Sequence, residues 1–155
     1  MDKNKTIIIV LVIVIIALAA LICGFFFMNN SGNDVVIYNN TIDDVGTFNT
    51  TNVTNFTLDE SYDDGATHYT ANYTGAQIIV TSSSALIENT KVDADRINDS
   101  AEGHSIYKNT ANVGEYKGEV RYFSILTDND NERYVYISSP DFNLTCMMVD
   151  SFKMF

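Results

Sequence analysis

The chain has one proline, two cysteines and no tryptophan in 155 residues, and its 9 basic side chains are outnumbered by 20 acids. Each scarcity excludes a class of protein. One proline and 8 glycines leave no collagen-like or proline-rich low complexity. Two cysteines cannot build a disulfide-dense scaffold. A net charge of -11 argues against nucleic-acid binding, because neutralising phosphates takes clustered Lys and Arg. Only 19% of the residues are charged while 46% are hydrophobic, so the chain is not a disordered polyelectrolyte either.

What is present is unevenly placed. Residues 7–28 contain no charged or strongly polar side chain. As a helix this run would span about 33 Å, enough to cross a hydrocarbon core of roughly 30 Å. A soluble core helix would show a polar stripe, and this run has none. Lys3 and Lys5 precede it, and the next basic residue is Lys91. The positive-inside rule then places residues 1–6 in the cytoplasm and everything from residue 29 onward outside. Ala17-Leu18-Ala19 has the small-x-small form of a cleavage site, but the apolar run continues well beyond it. Cys23 follows the bulky Ile22, where lipid-attachment signals carry a small residue. The expectation is an uncleaved signal anchor whose partner is the lipid bilayer, at the cell membrane.

Residues 29–52 are rich in Asn, Thr, Asp, Ser and Gly, and are expected to form a stalk. The triplet N-x-[ST] begins at Asn29, Asn39, Asn49, Asn52, Asn55, Asn72, Asn98 and Asn143. Random placement of the same residues would give about three such triplets, so these eight are candidate glycosylation sites.

Residues 53–155 are expected to form one small extracytoplasmic domain. Strands are predicted near residues 53–58, 68–74 and 77–81, with Asp63-Asp64-Gly65 as a turn. A helix is predicted from Lys91 to Ala101, with Val92, Ile97 and Ala101 facing inward. Residues 120–127 and 133–138 are rich in Tyr, Phe, Val and Ile around Asp128-Asn129-Asp130-Asn131, the pattern of a β-hairpin. Ser139-Pro140-Asp141 reads as a helix start, with Phe142, Cys146 and Val149 on the inner face. The predicted class is α+β: a small antiparallel β-sheet covered by one or two helices, behind an N-terminal transmembrane helix.

The order of lysine-flanked anchor, Asn/Thr-rich stalk and small domain resembles single-pass membrane-anchored surface proteins of archaea. The ending Met148-Val149-Asp150-Ser151-Phe152-Lys153-Met154, after a Tyr-rich hairpin, is similar to the last helix and strand of PsbP/MOG1-like domains. These resemblances imply a location and a fold class. They carry no catalytic motif.

The candidate chemistry is sparse. Asp128, Asp130 and Glu132 place oxygen ligands at alternate positions, as a hard cation such as calcium requires. A full EF-hand loop would need Gly and Glu where Arg133 and Ser139 stand. The expectation is therefore no cofactor beyond weak calcium binding, with a solvated turn as the plainer reading. No G-x-S-x-G elbow is present, and His68 and His104 are the only histidines. Cys146 reads as a free thiol packed as a small hydrophobe. Tyr122, Tyr134 and Tyr136 in the hairpin are candidate ligand-binding residues, because tyrosine joins an apolar ring to a hydroxyl. Ordinary cross-strand packing is the competing reading.

The expected function is a membrane-anchored extracytoplasmic binding or interaction domain, without enzymatic activity, whose partner is an envelope glycan or surface protein. The alternative is a surface enzyme or cation-dependent accessory subunit. A pocket holding His68 or His104 within hydrogen-bond reach of a carboxylate would favour the alternative.

Overall fold

The computed structural model describes residues 35–51, 54–112, 115–130 and 132–155. Their order is β1 (Tyr38–Ile42), β2 (Gly46–Thr50), β3 (Phe56–Leu58), β4 (Thr67–Ala71), β5 (Gln77–Thr81), α1 (Ser84–Lys91), β6 (Asp95–Asp99), β7 (Ser105–Thr110), β8 (Val120–Asp128), β9 (Arg133–Ser139), α2 (Phe142–Ser151) and β10 (Lys153–Met154). Seven strands form one antiparallel sheet in the order β3-β4-β5-β9-β8-β7-β6. A second sheet has the order β1-β2-β10.

The α+β expectation is corrected by this architecture. The domain is mostly β, with two sheets and two short helices among the described residues, and its main sheet is large rather than small. Among the described residues no helix is long and apolar enough to cross a membrane. The anchor expected over residues 7–28 lies outside the described residues.

Two local differences account for three of the added strands, β1, β2 and β6. Residues assigned above to a stalk form the β1–β2 hairpin, turned at Asp44 with φ 62°. In β2 the side chains alternate strictly, with Gly46, Phe48 and Thr50 inside. That period of two was masked because a glycine and a threonine hold core positions. Gly46 is required there: a Cβ would run into the carbonyl of Lys153 and the ring of Phe152.

The second difference lies in the segment read as a helix from Lys91 to Ala101. The helix is α1, which starts at its N-cap Ser83, where the hydroxyl accepts from Leu86 N at 3.2 Å. It ends at Lys91, the first residue of that segment. Strand β6 then pairs with β7 through its backbone while all five of its side chains remain exposed. Val92 and Ile97, expected inside, are exposed.

Hairpin β8–β9 forms where the aromatic and β-branched runs predicted it. Helix α2 begins two residues later than expected: Asp141 rather than Ser139 is its N-cap, accepting from Leu144 N at 2.9 Å. Its buried stripe is Leu144, Thr145, Met148 and Val149, which leaves Cys146 half-buried as a free thiol.

The period-two geometry of the large sheet divides its side chains between two faces. On the first, Ile78, Val135, Ile137 and Leu126 pack with Leu144, Met148 and Val149 of α2 and with Ile42, Val45 and Phe48 of the small sheet. Phe48 is fully buried, edge-on to Phe56 at 5.1 Å and stacked on Phe152 at 5.7 Å. On the second face Phe123 and Tyr136 pack under Ile87 of α1. One eight-residue helix cannot cover seven strands. Clefts remain on either side of it.

Candidate functional site

The larger of those clefts holds about 390 Å³ and lies between α1 and a floor drawn from β4, β5, β9 and β8, with the end of β7 at its border. Register places its floor. His68 of β4 stands opposite Ile79, Ile79 opposite Tyr136, and Gln77 opposite Ser138. Arg121 enters from β8, two positions before Phe123, so both point to this second face. The rim comes from Tyr62 and Asp64 before β4, Asn89 and Thr90 of α1, Asp93 after it, and Tyr116 before β8.

His68 is 4% exposed, and its Nε2 lies 3.0 and 3.1 Å from the two carboxylate oxygens of Asp64. A carboxylate only accepts, so Nε2 carries the proton that is shared. Gly65, with φ 75°, turns the chain so that Asp64 meets a histidine four residues on. The ring of Tyr62 stacks on the imidazole at 4.0 Å and 6°. Nδ1 is buried without a hydrogen-bond partner among the described residues.

Arg121 is 3% exposed. Its Nη2 donates to the Gly75 carbonyl at 2.6 Å and to the Ser138 hydroxyl at 3.1 Å. Tyr116 lies over the guanidinium at 4.1 Å, a cation–π contact. Nε and Nη1 are buried without hydrogen-bond partners among the described residues, although Glu119 Oε2 lies 3.6 Å from Nη1. Burial lowers the pKa of Arg121, opposed by Tyr136, Tyr116 and Glu119. Burial likewise raises the hydroxyl of Tyr136, and burial with Glu115 nearby raises that of Tyr116. Both phenols are therefore held neutral well into the alkaline range.

The tyrosines singled out in sequence do not act together. Tyr136 is 7% exposed and lines this cleft. Tyr134, on the same face, lines a second cleft of about 320 Å³ on the other side of α1, together with His104 and Lys91. Tyr122 is on the first face and meets Phe142 of α2 edge-on at 5.6 Å.

The acidic turn is differently occupied. Asp128 Oδ2 accepts from Nε of Arg133 at 2.8 Å, and Asp128 Oδ1 accepts from the backbone of Asp130. Arg133 also binds the carbonyls of Asp44 and Phe155, tying the hairpin to the small sheet and the last residue. Asp130 and Glu132 point to solvent, and no group of three metal-ligating side chains occurs among the described residues.

Six of the eight sequons fall on described residues. Asn55, Asn72 and Asn98 are exposed. Asn39 and Asn49 pair across β1 and β2, with their side chains bonded at 3.2 Å. Asn143 is exposed, but Thr145 of its triplet is fully buried, with its hydroxyl on the Asp141 carbonyl at 3.0 Å. Asn29 and Asn52 lie outside the described residues.

Arg121, Tyr116, Gln77 and Asp64 were not anticipated as site residues. One signal for Arg121 was available: a lone base inside the hydrophobic run Val120 to Leu126. A cation in such a strand either reaches the rim or is buried against something polar. Comparison with known proteins finds no matching family model, no matching curated protein and no matching solved structure.

Proposed function

We propose that this protein is an extracytoplasmic binding module, anchored in the membrane by residues 7–28, whose cleft between α1 and the floor of β4, β5, β9 and β8 receives a small ligand or the end of an envelope polymer. One observation carries the reading: the cleft floor buries polar groups that have no hydrogen-bond partner among the described residues, His68 Nδ1 and Arg121 Nε and Nη1. Buried polar groups are ordinarily satisfied, and concave sites with a few convergent polar groups are where ligands bind. The lysine-flanked apolar run and the clustered sequons support the location.

The enzyme reading has one observation in its favour, since His68 does lie in a cleft within 3.0 Å of a carboxylate. Asp64 holds Nε2 and leaves Nδ1 as the nitrogen that could act as a base, so the enzyme reading turns on a nucleophile or substrate proton for it to serve. Cys146 cannot serve as its nucleophile, because α2 packs on the opposite face of the sheet.

Amide NMR of the full-length chain, titrated with soluble envelope saccharides and peptides, tests both readings. Shift changes clustered at Tyr62, Gln77, Asn89 and Tyr136 are expected. Changes confined to the first face or to the sheet edges would refute a binding cleft. Ligand resonances converting to new species over time would put the enzyme first. A reporter fused after Phe155 that reads cytoplasmic would overturn the location.

A further inference from the structure

The second sheet face buries a cation that packing alone does not call for. Its neighbours along β8 on that face are Phe123 and Ile125, so an aliphatic residue would serve at position 121 if filling space were the whole role. Arg121 instead brings five N–H donors, and two of its three nitrogens have no hydrogen-bond partner among the described residues. Nη2 fixes the side chain to Gly75 and Ser138, which holds the planar fork in place before anything binds. Its face is covered by Tyr116 and not by backbone, so a turn of one aromatic side chain uncovers it.

We infer that Arg121 is the ligand-binding residue of this cleft, and that its ligand is a sugar acid: one carboxylate on a polyhydroxylated ring. The inference rests on the cleft reading above and names its substrate class. A carboxylate is planar and singly charged, and it matches a guanidinium edge with two parallel acceptors. The charge count favours a monoanion. Arg121 shares the cleft lining with Asp64 and Asp93, so a phosphate dianion would meet two like charges for one opposite charge. Glu119 at 3.6 Å already supplies part of the compensation for Arg121.

The frame of the ligand follows from the neutral lining. Gln77, Asn89, Thr90, Asn109 and Asn112 offer both donors and acceptors, which suits hydroxyl groups that are themselves both. Tyr62 and Tyr136 add ring surface for the apolar side of a pyranose. An α-amino acid is the competing carboxylate. Its ammonium would seek Asp64, whose oxygens already serve His68.

Isothermal titration of the full-length chain with D-glucuronate, D-glucose, inorganic phosphate and L-alanine tests the inference. Glucuronate is expected to saturate, and the other three to bind at least about ten-fold more weakly, the loss expected for a charge-assisted hydrogen bond. Arg121→Gln should weaken glucuronate by a similar factor. Because a buried arginine also matters to folding, Glu119→Gln provides the second variant at a side chain that is 53% exposed. Removing that competing carboxylate should tighten glucuronate about three-fold, as expected of a partly exposed ion pair. Glucose binding as well as glucuronate, with Glu119→Gln neutral, overturns the role of Arg121 while leaving the cleft itself intact. Tighter binding of phosphate or alanine overturns the ligand class, as does failure of glucuronate to bind. Failure of the cleft is read separately, from the location of the amide shifts.

Discussion

The two faces of the seven-stranded sheet are built from the same strands yet treated in opposite ways. The first is sealed by α2 and the three-stranded sheet, and its interior is largely aliphatic and aromatic, its polar members including hydroxyls that pair with one another, Thr145 with Ser139 at 2.8 Å and Thr50 with Thr54 at 3.0 Å. The second carries one short helix and admits His68, Gln77, Arg121 and Ser138 to buried positions. The contrast separates two tasks. Dry packing on one side supplies the stability that lets the other side keep incompletely satisfied polar groups. A fold with one sealed and one open face has a place for function and a place for strength, and the two need not compete.

The sharpest way to break that comparison is to weaken the sealed face. Phe48→Ala removes a fully buried ring held between Phe56 and Phe152. It should cost about 3–5 kcal/mol, read from the midpoint of urea unfolding at unchanged slope. The corresponding change on the open face is Ile87→Ala, which removes the one buried side chain of α1. A short helix beside two clefts can settle inward, so the cost should fall near the low end of the range, about 2 kcal/mol. Equal losses at the two positions would mean that the open face contributes as much to stability as the sealed one. Ligand binding separates them further. Phe48→Ala should leave the affinity of the surviving folded fraction unchanged, whereas Ile87→Ala should lower it, because α1 forms one wall of the cleft.

The same contrast explains what the amino-acid sequence made legible. β5 and the β8–β9 hairpin carried runs rich in β-branched and aromatic residues that agree with the fold, and α2 carried a capping pattern that marks the helix but sets its start two residues early. The β1–β2 hairpin escaped because its buried positions include Gly46 and Thr50, which resemble linker residues. β6 escaped because it is held mainly by backbone pairing and buries no side chain that could mark it. The site was hidden for a different reason. Both faces of β8 are hydrophobic, so no alternation shows which way Arg121 points. His68 was visible as one of two histidines, but its partner Asp64 was read as a turn residue. It is that as well, since it also accepts from the amide of Ala66. Only the strand order brings β4 and β8 onto one floor, across β5 and β9.

The smallest effect expected concerns Tyr136, where the open face buries a titratable group. Burial raises its pKa above the ordinary value of 10.0, against smaller opposing contributions from Ser138 and Arg121. In the unfolded chain the phenol ionises near the ordinary value, so the raised folded pKa contributes stability that is fully present below pH about 10. That contribution is lost as pH rises from there through the folded pKa, because the unfolded chain releases its proton first. Tyr136→Phe cannot ionise and should flatten this alkaline limb. At pH 7 the same variant should change stability by no more than about 1 kcal/mol, the net value of one neutral hydrogen bond. Unfolding midpoints for both proteins between pH 7 and pH 11 measure the difference directly. A variant whose stability falls with pH as steeply as the parent would assign the alkaline loss to other groups, Tyr116 and Cys146 first, since burial raises both. Of those two, Tyr116 borders the open face and Cys146 sits on the helix that seals the other, so their own substitutions would then show which side of the sheet gives way first.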